Sequence, residues 1–388
     1  MNSALSTVNA PAKPLALAPT RNAGIDALRA SLVLLVVFHH AAITYGAAGS
    51  WFYVEIPPSG APSSLILTIF CAFNQAFFMG LFFLIAGSLT PLAIARHGAA
   101  GFLRERLLRL GLPLLAFILV LGPLTVGLAE SAHGHAFFGT FGWILRHGVI
   151  IPGPMWFVWA LLIFSAAYVA LRAAVGPALL EKARPFPSNR TLAIAAIGTG
   201  AAAFVLRLRW PVGEEVLSLQ FGYFASYVVL FVAGCLGTKG GWLENVPADR
   251  LRVWRRVSVI SAVTFPVGML LAVRPSTGAN ASGSGGVNVL AVLYAIWEPL
   301  FAWGVILVLL VYFQRRFTAL SPLWRDLSRR AYLIYIVHPP ILVAVALAMR
   351  GFAAPALMKF AIAGSTGYAL CYLAAGALLK FAVVRRVV

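Results

Sequence analysis

Charged residues are scarce in this sequence: they make up 11% of its 388 residues, whereas 61% are hydrophobic. Soluble globular proteins carry about 25% charged and about 45–50% apolar residues. A soluble fold of this length could not bury so much apolar surface. The composition therefore excludes a soluble protein and predicts that lipid surrounds the chain.

Cysteine is nearly absent too, and several familiar motifs are missing. Cys71, Cys235 and Cys371 each lie within an apolar stretch without metal-ligand spacing, which predicts small core residues rather than disulfides or zinc ligands. The sequence has no Gly-x-x-x-x-Gly-Lys phosphate loop and no dinucleotide fingerprint. His133 and His135 form a loop pair without further ligands, so no metal is predicted.

Long apolar stretches dominate what is present. A membrane-spanning helix needs about 20 mostly apolar residues. The sequence thus predicts an all-α integral membrane bundle of about ten transmembrane helices, at residues 27–46, 65–92, 106–125, 154–174, 191–207, 218–237, 253–273, 287–312, 330–349 and 356–380. Residues 21–388 are predicted to form this one domain, residues 1–20 a disordered cytoplasmic tail, and residues 274–286 a flexible linker.

The net charge of +19 is distributed between the apolar stretches. This pattern sets membrane topology and argues against a nucleic-acid partner. With the N-terminus inside, 24 of the 30 Lys and Arg residues fall in cytoplasmic segments. We therefore expect both termini to be cytoplasmic, in a multi-pass protein of a bacterial inner membrane. The six residues assigned to the outside are Arg146, Arg207, Arg209, Arg274, Arg350 and Lys359.

Four ionisable residues fall deep inside predicted helices: His39, His40, Glu298 and His338. An ionisable side chain at the bilayer centre costs at least about 2.5–3.5 kcal/mol, so each is a functional candidate. At about 1.5 Å of rise per residue, His40, Glu298 and His338 reach similar depth on three helices. They predict one polar site midway through the membrane, with separate hydrogen-bonded core residues as the alternative. His39 lies about 100° around the helix from His40 and is expected to face elsewhere.

A group of arginines lies at the predicted cytoplasmic mouth of the bundle. Arg106 and Arg109 are three residues apart and share a helix face. Their planar guanidinium groups suit a phosphate-bearing ligand, and ordinary positive-inside anchoring is the alternative. Arg29 follows Asp26 by one helical turn, so a local salt bridge is expected to orient it.

At these residues the sequence resembles the membrane-bound acyltransferase family 3, which transfers acyl groups to carbohydrates and related acceptors. The family more often has Ser where this sequence has Ala86 and Ala331, so a serine nucleophile is not expected there. Five motifs carry the resemblance in the family's order: Gly24-Ile-Asp26-Ala-Leu-Arg29 with His40 after ten further residues, Phe82-Phe83-Leu-Ile-Ala86-Gly87, Arg106-Leu-Leu-Arg109 followed by Pro113, Gly153-Pro154-Met-Trp156-Phe157, and Ala331-Tyr332-Leu-Ile-Tyr335-Ile-Val-His338-Pro339.

The resemblance implies an acyl-CoA-dependent O-acyltransferase. Acyl-CoA, as co-substrate, would place its phosphates against the cofactor-binding residues Arg29, Arg106 and Arg109. His40 would act as general base on an acceptor hydroxyl, or carry the acyl group transiently. Glu298 or His338 would orient that imidazole or help bind the acceptor, an extracytoplasmic glycan or sugar.

The Trp297-Glu298-Pro299 pattern and the lack of an appended hydrolase domain look closest to membrane glucan succinyltransferases. A transporter or flippase for a lipid-linked or acylated sugar accounts for the helices and midplane charges equally well. It does not account for paired arginines at one mouth with a histidine above them. A polysaccharide ligase or polymerase usually needs a large outer loop, and residues 126–153 form a modest one.

Overall fold

The computed structural model describes residues 22–272 and 284–387, and these ranges fold almost entirely into helices. They contain no β-strand, only isolated bridges between Tyr45 and Ile56 and between Val216 and Leu219. The predicted all-α fold is confirmed. The predicted tail at 1–20 and most of the predicted linker at 274–286 lie outside the described residues.

Fourteen α-helices follow one another along the described parts of the chain. They are α1 (Ala23–Thr44), α2 (Pro62–Arg106), α3 (Leu112–Ala116), α4 (Gly122–Ser131), α5 (Phe137–Arg146), α6 (Trp156–Val175), α7 (Pro177–Leu180), α8 (Asn189–Arg209), α9 (Phe224–Gly237), α10 (Ala248–Ala272), α11 (Val289–Arg316), α12 (Pro322–Ala348), α13 (Ala356–Leu378) and α14 (Ala382–Val387). Two π-helical turns, Leu107–Gly111 and Phe117–Leu121, link α2 to α3 and α3 to α4.

Seven helical stretches of the described chain are long and apolar enough to cross a membrane. The protein is therefore a multi-pass membrane protein. The stretches are Ala23–Thr44, Pro62–Ser131, Gly153–Val175, Asn189–Arg209, Val289–Arg316, Pro322–Ala348 and Ala356–Leu378.

One of these stretches is too long for a single crossing. Pro62–Ser131 has 70 residues, which at about 1.5 Å per residue would extend about 105 Å, against a hydrocarbon core of about 30 Å. Gly98, with φ 69°, breaks its helical path between the predicted helices 65–92 and 106–125. Phe221–Gly237 is a shorter apolar helical segment. The count of about ten crossings and the cytoplasmic termini stay predictions.

Helix α1 lies at the centre of the bundle, against α2, α11, α12 and α13. The Asn22 side chain caps its start by accepting a hydrogen bond from the Ile25 N–H at 3.1 Å, and Asp26 complements the helix dipole in the first turn. Gly24 lies so close to Gln314 that a Cβ would come within 2.7 Å of its Cα. The beginning of α1 is thereby fixed against the end of α11.

Glycine also brings α2 and α9 together. A Cβ on Gly87 would overlap the Phe231 carbonyl, and one on Gly234 would overlap the Leu84 carbonyl. Small residues at such crossings allow backbones to approach closely, which drives helix association in lipid. Gly87 belongs to the second sequence motif, so that motif serves helix packing.

Candidate active site

The imidazole rings of His40 and His338 lie close together at the centre of the bundle, with nearly parallel planes. Their centroids are 5.3 Å apart and their planes differ by 16°. His40 is half-buried on α1, and His338 is fully buried on α12, the helix packed beside it. Two of the three residues predicted to form a central polar site therefore meet.

The backbone sets the orientation and tautomer of His338. Its Nδ1 lies 2.6 Å from the Tyr335 carbonyl oxygen. A carbonyl only accepts, so Nδ1 is the nitrogen that donates. Pro339 has no N–H, which leaves that carbonyl without its usual i→i−4 helical donor. In the neutral ring Nε2 is then unprotonated, and it is buried without a hydrogen-bond partner among the described residues. His338 thus presents a proton acceptor.

Trp51 covers this histidine pair from the loop between α1 and α2. Its ring stacks on His40 with centroids 3.8 Å apart and lies 5.8 Å from His338. Within the described chain, Trp51 Nε1 and His40 Nδ1 are also buried without a hydrogen-bond partner. Buried polar atoms are almost always paired. Three unpaired ring nitrogens in contacting rings indicate a place for a ligand's polar groups.

An ion pair fastens the loop that carries Trp51. Lys359, at the start of α13, contacts the Glu55 carboxylate, and both side chains are at least nine-tenths buried. The Glu55 backbone N–H donates to the Thr44 carbonyl at 2.9 Å, which closes the loop onto the end of α1. These contacts hold Trp51 over His40. Sequence reasoning missed both Trp51 and this pair, because no local pattern marks either.

Arg29, Arg106 and Arg109 gather at the opposite end of α1. The predicted pair of Arg29 with Asp26 is confirmed, at 3.9 Å. The charges of both Arg29 and Arg109 act on Arg106, and Arg109 lies 3.2 Å from Glu105. Arg29 and Arg109 are exposed. Three guanidinium groups whose charges repel one another favour an anion between them.

A row of aromatic rings connects this arginine group with the histidine pair. Tyr332, Tyr335 and His338 recur every third residue on α12, with ring centroids 6.5 Å and 5.9 Å apart. Tyr332 Oη donates to the Arg109 carbonyl at 3.1 Å, and Tyr335 Oη donates to the Pro154 carbonyl. Four of the five sequence motifs therefore meet along one line through the bundle.

The acyltransferase domain of acyltransferase family 3 matches residues 22–376, from the start of α1 almost to the end of α13. The chain belongs to this family. The resemblance carried by the five motifs is thereby confirmed, and the protein is a membrane acyltransferase. Comparison with curated proteins and with solved structures gives no match.

Glu298 of this acyltransferase has an ion-pair partner of its own. Its carboxylate pairs with Arg207 of α8, and both side chains are fully buried. Arg207 Nε donates to the Gly222 carbonyl at 2.9 Å, and its guanidinium lies 4.8 Å from the centre of the Tyr294 ring. No contact among the described residues joins Glu298 to His40 or His338, and its role toward His40 stays a prediction.

Each partner of the Arg207–Glu298 pair has one buried polar atom that forms no hydrogen bond within the described ranges. Arg207 Nη1 and Glu298 Oε1 are buried and have no hydrogen-bond partner within the described ranges. Sequence reasoning placed Arg207 among the outer cations and did not predict this partner. The one feature of the sequence that could have indicated burial of Arg207 is its position as the last residue of a predicted apolar helix.

The remaining candidate residues of the acyltransferase are His39 and the three cysteines. His39 is buried. Its ring centroid lies 5.1 Å from that of Phe78 on α2, and its ring is perpendicular to the ring of His40. Within the described ranges no group of three or more His, Cys, Asp or Glu residues could hold a metal ion. Cys71, Cys235 and Cys371 are free and buried.

Proposed function

We propose that this acyltransferase moves an acetyl or succinyl-like acyl group from cytoplasmic acyl-CoA to a hydroxyl group of an extracytoplasmic carbohydrate. The observation that carries the proposal is the His40–His338 pair, with an unprotonated nitrogen on His338, at one end of the row of rings that begins beside the arginine group. The proposal places the protein in a bacterial inner membrane, with about ten crossings and both termini cytoplasmic.

The donor binds from the arginine end. CoA carries several phosphates, and guanidinium forks bind phosphate oxygens in bidentate fashion. Arg29, Arg106 and Arg109 hold these phosphates, while the pantetheine arm lies along the Tyr332 and Tyr335 face of α12. From Arg29 to His40 the rise of α1 is about 16 Å. The thioester is thereby brought beside the imidazole rings.

The histidine pair supplies the proton transfer. The acceptor oxygen attacks the thioester carbonyl, a C–O ester bond forms and the C–S bond breaks. His40 removes the proton from the attacking hydroxyl and returns it to the leaving sulfur, so that free CoA thiol departs. His338 Nε2 accepts a hydrogen bond from the acceptor or from protonated His40. Transient acylation of His40 fits the same geometry.

The acceptor approaches from the side that Trp51 covers. An aromatic face with a polar edge suits a sugar ring, because it offers apolar contact and an indole N–H together. Glu298 helps bind the acceptor through its free Oε1, in line with the resemblance of its sequence context to glucan succinyltransferases. The ion pair with Arg207 fixes that carboxylate in place.

A matched pair of histidine variants tests the proposal. Purified protein in detergent is incubated with radiolabelled acetyl-CoA or succinyl-CoA and an oligosaccharide acceptor, and acyl ester and free thiol are quantified. We expect His40→Ala to lower transfer at least about a hundredfold, while acyl-CoA binding persists. His39→Ala, which removes the neighbouring ring facing α2, should retain most of the activity.

Two outcomes would count against this function. If wild-type protein consumes neither thioester with any carbohydrate tested, the donor assignment fails. If His40→Ala transfers acyl groups at the normal rate, the mechanism fails even where the donor is correct. Equal losses in the His39 and His40 variants would indicate damage to helix packing rather than lost proton transfer.

A further inference from the structure

A groove opens between α10 and α11, away from the histidine pair. The groove is shallow and open, and its lining includes Arg255, Arg315 and Arg316. Gly304 lets the two helices meet beside it, because a Cβ there would overlap the Trp254 carbonyl. The groove is at the end of α11, the end where α1 begins.

The three arginines of this groove differ from the arginines that lie beside a carboxylate. Carboxylates lie near Arg109, Arg172, Arg250 and Arg330. Arg255, Arg315 and Arg316 are exposed, and none has an acidic partner within the part of the chain that the structure describes. The sequence holds only 11 acidic residues, and none is used here. The groove therefore concentrates uncompensated positive charge.

The other side of the groove is apolar. Val308 and Val311 line it, and Tyr312 stands beside them with its side chain 57% exposed. Valines 259 and 263 and Ile260, further along α10, are 59–62% exposed, as expected of a helix facing hydrocarbon. Tyrosine is enriched at the boundary between headgroups and acyl chains. The charged and apolar halves thus follow the polarity of a lipid.

We propose that the groove between α10 and α11 binds one anionic phospholipid, with its phosphate on Arg255, Arg315 and Arg316 and an acyl chain along Val308 and Val311. Charge complementarity selects the headgroup, because guanidinium forks bind phosphate oxygens and no described carboxylate competes. Basic pockets between transmembrane helices on one side of the membrane are known to hold such headgroups. The bound lipid joins α10 to α11.

The test counts lipid bound to the full-length protein. Delipidated protein in detergent is titrated with dioctanoyl phosphatidylglycerol or dioctanoyl phosphatidylcholine, and bound lipid is measured by native mass spectrometry. Basic residues near an anionic headgroup strengthen its binding. We therefore expect the triple variant Arg255→Gln, Arg315→Gln, Arg316→Gln to weaken phosphatidylglycerol binding at least about tenfold. Phosphatidylcholine should bind much more weakly.

Two further variants keep the inference falsifiable. Arg325→Gln, Arg385→Gln, Arg386→Gln removes the same charge from exposed arginines outside the groove, and should change binding less than about twofold. Val308→Trp fills the apolar half and should weaken binding with all charges intact. Equal losses in the two triple variants, equal binding of the two lipids, or full binding by Val308→Trp would each overturn the proposal.

Discussion

Replacing Pro339 by alanine tests how the backbone controls His338. Alanine restores an N–H at position 339, which can donate to the Tyr335 carbonyl in the ordinary helical pattern. That carbonyl now accepts from His338 Nδ1 at 2.6 Å. The two donors would compete, and the tautomer that leaves Nε2 unprotonated would lose its preference. Fewer molecules would then hold a proton acceptor beside His40.

The expected loss follows from a single hydrogen bond. Such a bond contributes about 0.5–1.5 kcal/mol, so Pro339→Ala should slow acyl transfer about 2- to 13-fold. Acyl-CoA binding should stay unchanged, because the arginine group is at the other end of the row of rings. The measurement is the single-turnover rate of transfer from acyl-CoA, with binding measured separately.

Pro340→Ala is the matched control. It also restores a helical N–H, but this N–H would meet the Ile336 carbonyl, and no histidine of the described chain donates to that carbonyl, since His338 donates to Tyr335. In a His338→Ala background, Pro339→Ala should have no further effect, because the two residues act through one contact. If Pro340→Ala slows transfer as much as Pro339→Ala does, the loss reflects helix shape and the reasoning about the tautomer is refuted.

Three other perturbations test separate parts of the molecule. Arg106→Ala and Arg109→Ala should each weaken acyl-CoA binding about ten- to a hundredfold, and Lys at either position should restore it in part. The control Arg104→Ala, at an exposed arginine, should leave binding unchanged. Calorimetric titration with CoA measures the affinity, and wild-type affinity in the double variant would contradict the proposed role. Glu298→Gln should lower the free energy of unfolding by about 3–5 kcal/mol, since it leaves Arg207 as an uncompensated buried charge. Denaturant titration measures this loss of stability. The double variant Arg207→Met, Glu298→Leu should recover much of the lost stability. Engineered cysteines near each terminus should resist an impermeant thiol reagent added outside intact cells; labelling of either would contradict the ten-crossing topology.

Much of the fold was predictable because lipid imposes a simple requirement. Backbone groups in hydrocarbon must be satisfied within the helix, so long apolar runs mark the helices, and α1, α11 and α12 lie where hydropathy places them. Helix ends were less predictable. Predicted helices 65–92 and 106–125 belong to one helical stretch, Pro62–Ser131, broken at Gly98. The part of this stretch around Arg96 and Arg104 is helical but polar, and a search for apolar runs does not detect a polar helical segment.

Residues of the candidate site were predictable where a single side chain has a high free-energy cost inside the membrane. A histidine within a membrane helix is costly enough to be conspicuous, and His40 and His338 were found in this way. Trp51 and Lys359 were not found, since tryptophan in a short loop and lysine near a helix end are ordinary in a membrane protein. Their importance comes from contacts between distant parts of the chain: Glu55 and Lys359 are 304 positions apart. No local pattern predicts such a contact.

The position of Glu298 within the plane of the membrane was not predictable from its estimated depth. Counting residues along a helix gives a position along the membrane normal, and says nothing about the position within the plane of the membrane. Helix neighbours decide that second position. Helices α1 and α12 are packed side by side, so equal depth brings His40 and His338 into contact. Helix α11 also packs on α8, where Gly200 lies against the Ala295 carbonyl that Pro299 leaves without a helical donor. The Glu298 side chain pairs with Arg207 of α8, so equal depth alone does not bring it into contact with the two histidines.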